Sequence, residues 1–408
     1  MMADPLLAAI DVDTLVDDVC RLIAAGPDEG AAQLVVAGIA ERLGLRVELH
    51  EENLGALRQL DGYPGEEVAR DRLVNVTATA PGRDGAAPRL CLSGHVDVVP
   101  PGQQPWTSSP FDPRVDSGWI YGRGAADMRG GVVASVHAVA AVMSACGQPP
   151  GDVVIQSVVA EEDGGLGAFA ALSRDAAFAG CVISEPTDGT IICANAGALT
   201  WRGHIAGRAA HASDRLSGVS ALDRFLPVYQ ALHDLEAELN ADVAHPLMRE
   251  HPLPYPLSVG VVRTGDWAST VPDELVFEGR VGVPIGMSAD AVRRRLQEVV
   301  AAAADHRGEA PRIEWSGGQF EPGETPVDDP LIVDVAAEAA AVTGSAPRLA
   351  AAPYGSDLRL YRTHGIPTVQ YGPGELAQAH AIDERLEIER LITHTHVLAR
   401  LANRFGAR

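Results

Sequence analysis

The length, composition and charge of the chain set the first limits. It has 408 residues, 46% of them hydrophobic, and a formal net charge of −23. At roughly 100–200 residues per domain, this length is typical of two or three domains, and we expect two. The acidic surplus disfavours nucleic acid as a partner, because no basic excess is available to displace counterions from phosphates. The sequence contains no lysine, which excludes a Schiff-base lysine and a phosphate-binding loop built on Gly-Lys.

The N-terminal sequence and the cysteines indicate the compartment. The chain begins MMADPLLAAIDVDTLVDD, without a basic run ahead of an apolar stretch, and no segment holds the roughly 18 uninterrupted apolar residues of a membrane span. We therefore expect a soluble, cytoplasmic protein without a membrane partner. The cysteines form no CxxC pair and are expected to be free thiols; they are Cys20, Cys91, Cys146, Cys181 and Cys193.

The first half of the chain alternates helical and extended patterns. Apolar spacing, capping glycines and β-branched runs define each element. In chain order, the elements expected are helices at 15–22 and 31–42, strands at 45–49, 73–78 and 89–93, an apolar helix at 128–146, and strands at 153–160 and 181–184. Strands that alternate with helices predict an α/β fold with a mainly parallel sheet covered on both faces.

The pattern changes after residue 196. A strand at 198–206 is followed by a long helix at 219–239, strands at 257–264 and 275–283, a helix at 289–304 and a strand at 312–317. That order is typical of a compact, ferredoxin-like α+β unit. The α/β pattern then resumes with a helix at 331–342 and a strand at 367–372. We therefore predict a catalytic domain in two parts, 1–196 and 318–408, with an inserted lid or dimerisation domain at 197–317.

Acidic residues and histidines follow the ends of the predicted strands. The segments SGHVDVVP, GRGAADMRGG, AEEDGG and SEPT each lie at such an end or in its loop. In open α/β sheets this edge is where ligands bind. The side chains gathered there would be His95, Asp97, Asp127, Glu161, Glu162 and Glu185.

So many carboxylates in one crevice would repel each other and raise one another's pKa values. Divalent cations offset that cost, and a mixture of imidazole and carboxylate ligands suits zinc best, with cobalt or manganese as alternatives. Each motif alone is common, since an HxD sequence is often an ordinary turn. Together, in this order and spacing, they indicate a metal site.

In the order and spacing of these motifs, the chain resembles the metallopeptidase and deacylase family of acetylornithine deacetylase, succinyl-diaminopimelate desuccinylase, aminoacylase and carboxypeptidase G. The resemblance covers nearly the whole chain, from His95 to the late His380. It implies two metal ions per chain. One would be bound by His95, Asp127 and Glu185, and the other by Glu162, Asp127 and His380, so that Asp127 bridges the pair.

The resemblance also implies roles for two neighbouring acids. Asp97 matches the carboxylate that orients the metal-bound imidazole. Glu161 matches the general base that takes a proton from the attacking water. Adjacent residues in an extended strand point in opposite directions, so Glu161 and Glu162 can serve different tasks at one site only if the backbone turns there. The Asp-Gly-Gly sequence that follows predicts such a turn.

Four further residues match positions that contact the substrate in the family. His211, in GRAAHAS, resembles a histidine that polarises the substrate carbonyl and, in dimeric members, reaches the partner's site. Arg280, in FEGR, matches an arginine that binds a substrate carboxylate. Gly355 and Ser356, in PYGSDLR, match the loop that lines the carboxylate end of the substrate.

The resulting expectation is a metal-dependent amidohydrolase that removes an acyl group from an N-acyl amino acid or a related small amide. A dipeptidase or exo-carboxypeptidase would use the same metal centre with a different pocket. A non-catalytic ligand-binding protein that retains the fold is a third reading, disfavoured because a binding module needs no base beside a metal-bound water. A homodimer through the inserted domain is the expected assembly.

Overall fold

The protein is described here from a computed structural model covering residues 4–304 and 307–407. In chain order, the strands are β1 (Arg46–Glu51), β2 (Val74–Ala80), β3 (Leu90–His95), β4 (Arg114–Asp116), β5 (Trp119–Tyr121), β6 (Val153–Val158), β7 (Gly180–Ile183), β8 (Ile191–Asn195), β9 (Gly197–Ala206), β10 (Leu257–Thr264), β11 (Glu274–Val283), β12 (Arg312–Phe320), β13 (Gly323–Glu324), β14 (Leu349–Ala352), β15 (Thr368–Gln370) and β16 (Arg385–Glu387).

The α-helices begin and end as follows: α1 (Pro5–Ala8), α2 (Val12–Ala24), α3 (Glu29–Arg42), α4 (Leu54–Leu57), α5 (Gly130–Cys146), α6 (Leu166–Arg174), α7 (Ala221–Ala241), α8 (Ala289–Ala303), α9 (Pro330–Thr343), α10 (Leu358–Thr363) and α11 (Ile388–Arg404). Short 3₁₀ or π turns lie at Ala125–Arg129, Ala212–Ser217, Pro246–Glu250 and Leu376–Gln378. Side-chain caps begin several helices: Asp28, Ser220 and Asp329 each accept a backbone N–H from the first turn that follows.

The larger sheet confirms the predicted fold class. Within the described residues its strands lie in the order β1-β2-β6-β3-β7-β15-β8-β13, with β14 beside β8. The central strands β6, β3, β7 and β15 are parallel, whereas β1, β2 and β13 pair antiparallel towards the edges. Every residue of β3 and β6 is buried, as expected for strands covered by helices on both faces.

Helix α5, which begins within the GRGAADMRGG segment, is unusually apolar. The segment Ala125–Cys146 is long and apolar enough to cross a membrane by length and composition, yet 72% of its most hydrophobic stretch is buried inside the protein. It packs against α11, α2 and β3. Burial in the core therefore accounts for its composition.

The segment after residue 196 builds a second sheet of its own. Its strands lie in the order β10-β11-β9-β12, all antiparallel, and α7 and α8 pack on them, which is the ferredoxin-like order. Trp201, Phe277 and Leu232 belong to its separate hydrophobic cluster. The last strand, β12, continues through residue 317 to Phe320. The division into domains at 196 and 317 stays a prediction.

Each element expected from the sequence is present, with its ends within three residues of the prediction. Elements that the sequence patterns did not predict include α6, α10, α11, β8 and β14. β14 reads LAAA, and alanine carries little strand preference, so its pairing with β8 is set by tertiary contacts. The third sheet, β16-β5-β4, was also not predicted, because each of its strands has only three residues.

Candidate metal centre and active site

The predicted metal ligands and the predicted base, Glu161, meet at the carboxyl edge of the central strands. His95 is the last residue of β3, Glu161 follows β6 by three residues, and Glu185 follows β7 by two. These three strands are parallel neighbours, so their carboxyl ends lie side by side. Asp127 enters the same crevice from the turn before α5. The fold thus brings together residues from four separate segments.

Distances divide the cluster into two halves around Asp127. His95 Nε2 lies 3.2 Å from Asp127 Oδ1 and 3.8 Å from Glu185 Oε1. His380 Nε2 lies 3.5 Å from Asp127 Oδ2 and 3.0 Å from Glu162 Oε2. One carboxylate oxygen of Asp127 therefore faces each histidine, as expected of a bridging ligand.

These distances fit metal coordination. Two ligand atoms about 2.1 Å from one zinc ion at a tetrahedral angle lie about 3.4 Å apart. The four histidine–carboxylate distances scatter around that value. Ligand atoms of His95, Glu161 and Glu185 lie within 4.8 Å of one another, as do those of His95, Asp127 and Glu162. The donor set of imidazole nitrogens and carboxylate oxygens fits a pair of divalent cations.

Burial makes the cluster electrostatically costly without cations. Burial, together with the charges of Glu185 and Asp357, raises the pKa of Glu161 well above its usual range. The pKa values of Glu162 and Glu185 are raised by burial and by the charge of Asp127. Among the described residues, the ion pairs formed by Asp127, Glu162 and Glu185 are with histidines and not with arginine. Bound cations would therefore stabilise this cluster of carboxylates.

A tight turn separates the two adjacent glutamates. Ala160 has a positive φ of 61°, and the N–H of Gly165 donates to the carbonyl of Ala160 at 2.6 Å. The N–H of Glu162 donates to Asp97 Oδ2 at 3.1 Å. Because the chain reverses at this point, Glu161 and Glu162 leave the strand direction, and both reach the cluster.

The turn is tied to the rest of the protein by Asp163. Its Oδ2 accepts hydrogen bonds from the backbone of Glu67 (3.1 Å) and Val68 (2.8 Å), and it pairs with Arg70 at 2.7 Å. Arg70 also pairs with Glu29 at 2.7 Å. The residue after the glutamate pair thus holds the turn in a fixed place.

Asp97 lies behind His95, but its contact differs from the simple carboxylate–imidazole pair that the resemblance implies. His95 Nδ1 is 3.0 Å from the backbone carbonyl of Asp97 and 3.5 Å from its Oδ1. The side chain's shorter contact is with the N–H of Glu162. Asp97 therefore supports both His95 and the turn that carries the glutamates.

His211 lies apart from this cluster. It is exposed in the loop after β9, directly before the turn Ala212–Ser217. Its Nδ1 lies 2.7 Å from Ser213 Oγ, and its backbone forms an isolated β-bridge with Thr270. Both neighbours belong to the inserted segment. Among the described residues, His211 is not a member of either group of candidate metal ligands.

The remaining substrate-binding candidates lie on two elements. Arg280 is half-buried on β11. Burial lowers its pKa, and the charge of Glu67 offsets only part of that effect. Gly355 packs against the ring of Phe320, and a Cβ there would lie 2.6 Å from it. Ser356 is buried, and its Oγ accepts a hydrogen bond from Gln370 Nε2 at 2.5 Å. The hydroxyl of Ser356 is thus engaged by a side chain of β15.

Two site residues were not predicted from the sequence. The phenol of Tyr354 donates to Gln370 Oε1 at 3.3 Å, and burial with the charges of Glu185 and Asp127 raises its pKa. Its place in the PYGSDLR motif was a usable signal. Glu384 is fully buried and binds the turn that carries Asp127. Nothing in its local pattern distinguishes it from a surface acid.

Comparison with known proteins gives a family match. A model of peptidase family M20/M25/M40 matches residues 91–404. The chain is 30% identical over 408 residues to the succinyl-diaminopimelate desuccinylase of Gluconacetobacter diazotrophicus, covering 96% of each chain. It is 25% identical over 386 residues to the N-formyl-4-amino-5-aminomethyl-2-methylpyrimidine deformylase of Bacillus subtilis, covering 89% of this chain and 86% of the relative.

Solved structures share the fold over nearly the whole chain. The dipeptidase Dug1p from Saccharomyces cerevisiae superposes with a TM-score of 0.77 at 14% identity, covering 99% of this chain and 98% of that one. A dinuclear metal-binding peptidase of the M20 family from Bacillus subtilis gives a TM-score of 0.66 at 18% identity, covering 97% and 99%. At these identities the likeness concerns the fold.

Proposed function

We propose that this chain, which belongs to peptidase family M20/M25/M40, removes the acyl group from an N-acyl amino acid or a related small amide. Membership makes it a metal-dependent hydrolase of the amidohydrolase and peptidase class. The acyl-amide substrate is supported by the relatives at 25–30% identity, which are named a deformylase and a desuccinylase. The dipeptidase resemblance rests on structures below 25% identity, which carry the fold alone.

The position of Asp127 is the observation that carries the proposal. Its two oxygens face His95 and His380 separately, which supports a site for two ions that share this carboxylate. We assign His95, Asp127 and Glu185 to one ion. Glu162, Asp127 and His380 hold the other. The nitrogen and oxygen donors fit zinc, with cobalt or manganese as alternatives. When bound, the ions supply a Lewis acid that polarises the amide carbonyl and lowers the pKa of water.

Glu161 is the proton carrier in this mechanism. It accepts a proton from the water whose oxygen forms the new bond to the carbonyl carbon. It then delivers that proton to the amide nitrogen as the carbon–nitrogen bond breaks, which releases a free amine and a carboxylic acid, and the acid then loses its proton to give the carboxylate. In the metal-free chain, burial and the charges of Glu185 and Asp357 raise the pKa of Glu161. Bound cations would lower it again and favour the ionised carboxylate that accepts the proton.

The inserted segment and the loop between β14 and α10 supply the remaining contacts in the proposal. Arg280 binds the carboxylate of the amino-acid portion through its planar donors, and Gly355 and Ser356 line that end of the pocket. His211 donates to the oxyanion formed during attack. Because His211 is exposed and its hydrogen bond is with Ser213 and not with a proposed ligand, we place it in the site of a partner subunit.

A dimer through the inserted sheet is supported by two surface features. Strand β10 lies at the sheet edge, where its outer hydrogen-bonding groups can pair with a second copy. On α7, the side chains of Leu222, Leu226 and Tyr229 are exposed at helical spacing and form an apolar stripe. Cytoplasmic location remains part of this proposal.

Metal removal combined with a substrate panel tests the function. Chelation is expected to abolish hydrolysis and zinc to restore it, measured with N-acetyl, N-formyl, N-succinyl and N-carbamoyl amino acids and with dipeptides. Matched amides that lack the free carboxylate are the control. The wild type should hydrolyse the substrates with a carboxylate faster than these amides, and Arg280→Met should abolish that difference. Unchanged turnover after metal removal would reject the mechanism. Faster turnover of dipeptides than of every acyl amino acid would make the enzyme a peptidase.

A further inference from the structure

A buried carboxylate outside the predicted ligand set joins the segments that carry Asp127 and His380. Glu384 lies four residues after His380, immediately before β16, and its side chain is fully buried. Its two oxygens accept four hydrogen bonds. The donors are Arg123 Nη1 (2.7 Å) and the backbone N–H groups of Gly124 (3.0 Å), Ala126 (2.9 Å) and Asp127 (3.0 Å).

Strand pairing brings these two segments side by side. β5 ends at Tyr121, just before the turn that carries Asp127, and β16 begins at Arg385, just after Glu384. Tyr121 and Arg385 are direct partners in the antiparallel ladder. The N–H of Gly122 donates to the backbone carbonyl of Glu384 at 2.9 Å. The carboxylate of Glu384 continues this pairing beyond the strands and into the turn.

The turn depends on that acceptor because its backbone is buried. Gly124 has a left-handed φ of 83°, and a Cβ at this position would lie 2.8 Å from Val98 Cγ1. Buried N–H groups that lose their acceptor cost free energy, so three of them on one carboxylate define the local backbone strongly. Arg123 adds a second link, because its Nη2 donates to the carbonyl of His380 at 3.4 Å.

The position of Asp127 between two histidines makes this link functional. Its oxygens lie 3.2 Å from His95 Nε2 and 3.5 Å from His380 Nε2, so a small backbone shift would change both distances. We propose that Glu384 is a positioning residue that fixes the bridging Asp127 relative to His380 and thereby sets the geometry of the two metal sites. This inference rests on the proposed function, since it concerns the same centre.

The test is the Glu384→Gln variant, with metal binding as the readout. Glutamine has one acceptor oxygen, so its NH₂ group must face two of the four donors, and the turn has to shift. We expect the affinity for the second metal ion to fall about 10-fold to 100-fold, measured by competition with a zinc indicator. We also expect the visible spectrum of the cobalt-loaded protein to change, because the ligand geometry changes.

Asp18→Asn is the matched control. Asp18 is also a fully buried carboxylate bound by an arginine, with Arg42 Nη2 at 2.5 Å and His137 Nε2 at 2.8 Å. Its partners, Arg42 on α3 and His137 on α5, are not proposed metal ligands and do not bind Glu384. The control is expected to lower the melting temperature of the metal-free protein. Its metal affinities and cobalt spectrum should equal those of the wild type. If a general loss of stability were enough to weaken metal binding, this variant would also bind metal more weakly.

The outcomes separate the two proposals. A wild type that binds two ions while Glu384→Gln keeps wild-type affinity and spectrum overturns the positioning role alone. A wild type that binds no metal ions overturns the proposed function and this inference together. If Glu384→Gln does not fold, Arg123→Met removes one donor and leaves the backbone contacts. Second-site affinity is then expected to fall several-fold, and unchanged affinity in that variant also overturns the inference.

Discussion

The candidate functional residues at the edge of the main sheet are buried and in contact with each other, whereas those of the inserted sheet are exposed or half-buried and lie apart. At the main edge, His95 and Asp127 are buried and 3.2 Å apart within a single chain. On the inserted sheet, His211 is exposed and contacts Ser213, and Arg280 is only half-buried. The first region is assembled by folding alone. In the proposed mechanism, the residues of the second region act only when a substrate or another subunit is in place.

This contrast follows from how each region holds its side chains. The metal cluster sits at the ends of three fully paired strands and on turns fixed by buried carboxylates such as Asp163 and Glu384. The inserted sheet presents its candidates on a strand face and in a loop. The proposed mechanism therefore assigns the chemistry that needs fixed ligand distances to the strand ends, and the substrate contacts to the inserted sheet.

Glu161→Gln should produce the largest effect on the main edge. Glutamine keeps the shape but cannot take a proton, so kcat is expected to fall by a factor on the order of 10² to 10⁴. Metal content should stay near the wild-type value, measured by elemental analysis. The adjacent Glu162→Gln is the control, because removal of a proposed ligand should lower metal content. Retained turnover in Glu161→Gln would reject its role as base.

The strand-end cluster could be predicted from the sequence because its signals are local. Apolar runs define the strands, and motifs at their ends place His95, Asp127 and Glu185 at one edge whatever the details of the loops. The turn that separates Glu161 from Glu162 was also predicted, from Asp-Gly-Gly. The roles of the individual ligands came from the family resemblance and not from the spacing.

Contacts between distant segments could not be predicted in the same way. Glu384 meets Asp127 across 257 positions of sequence, through a ladder of three-residue strands too short to give a pattern. Asp97 was expected to hold His95 through its carboxylate, but the structure places its backbone carbonyl nearer. Such details depend on register and packing, which one sequence does not encode locally.

Mixed dimers test whether the inserted sheet completes a neighbour's site. His211→Asn should lower kcat about 10²-fold, since it removes an oxyanion donor. When this variant is mixed with Glu161→Gln, statistical exchange makes half of the dimers mixed, and one site in each keeps both residues. About a quarter of wild-type activity should return. Absence of recovery under confirmed subunit exchange would place His211 in the site of its own chain.

The smallest expected effect concerns the core behind the main edge. His394 on α11 is buried, its Nε2 lies 3.2 Å from Ser184 Oγ, and burial lowers its pKa to about 3. In the unfolded chain a histidine titrates near about 6.5. Between these values the unfolded state binds a proton that the native state does not. The stability contribution is therefore present above about pH 6.5 and is lost as the pH falls towards 3.

Replacing His394 should consequently flatten the dependence of stability on pH. For the metal-free wild type, this residue contributes up to about 1.4 kcal/mol of unfolding free energy per pH unit below 6.5, and His394→Gln removes that slope. Urea unfolding between pH 5 and 7.5 measures it. The matched variant His211→Asn alters an exposed side chain on the inserted sheet and should run parallel to the wild type. Parallel curves for both variants would mean that water reaches His394, and that the rigid backing of the metal edge is more open than its burial indicates.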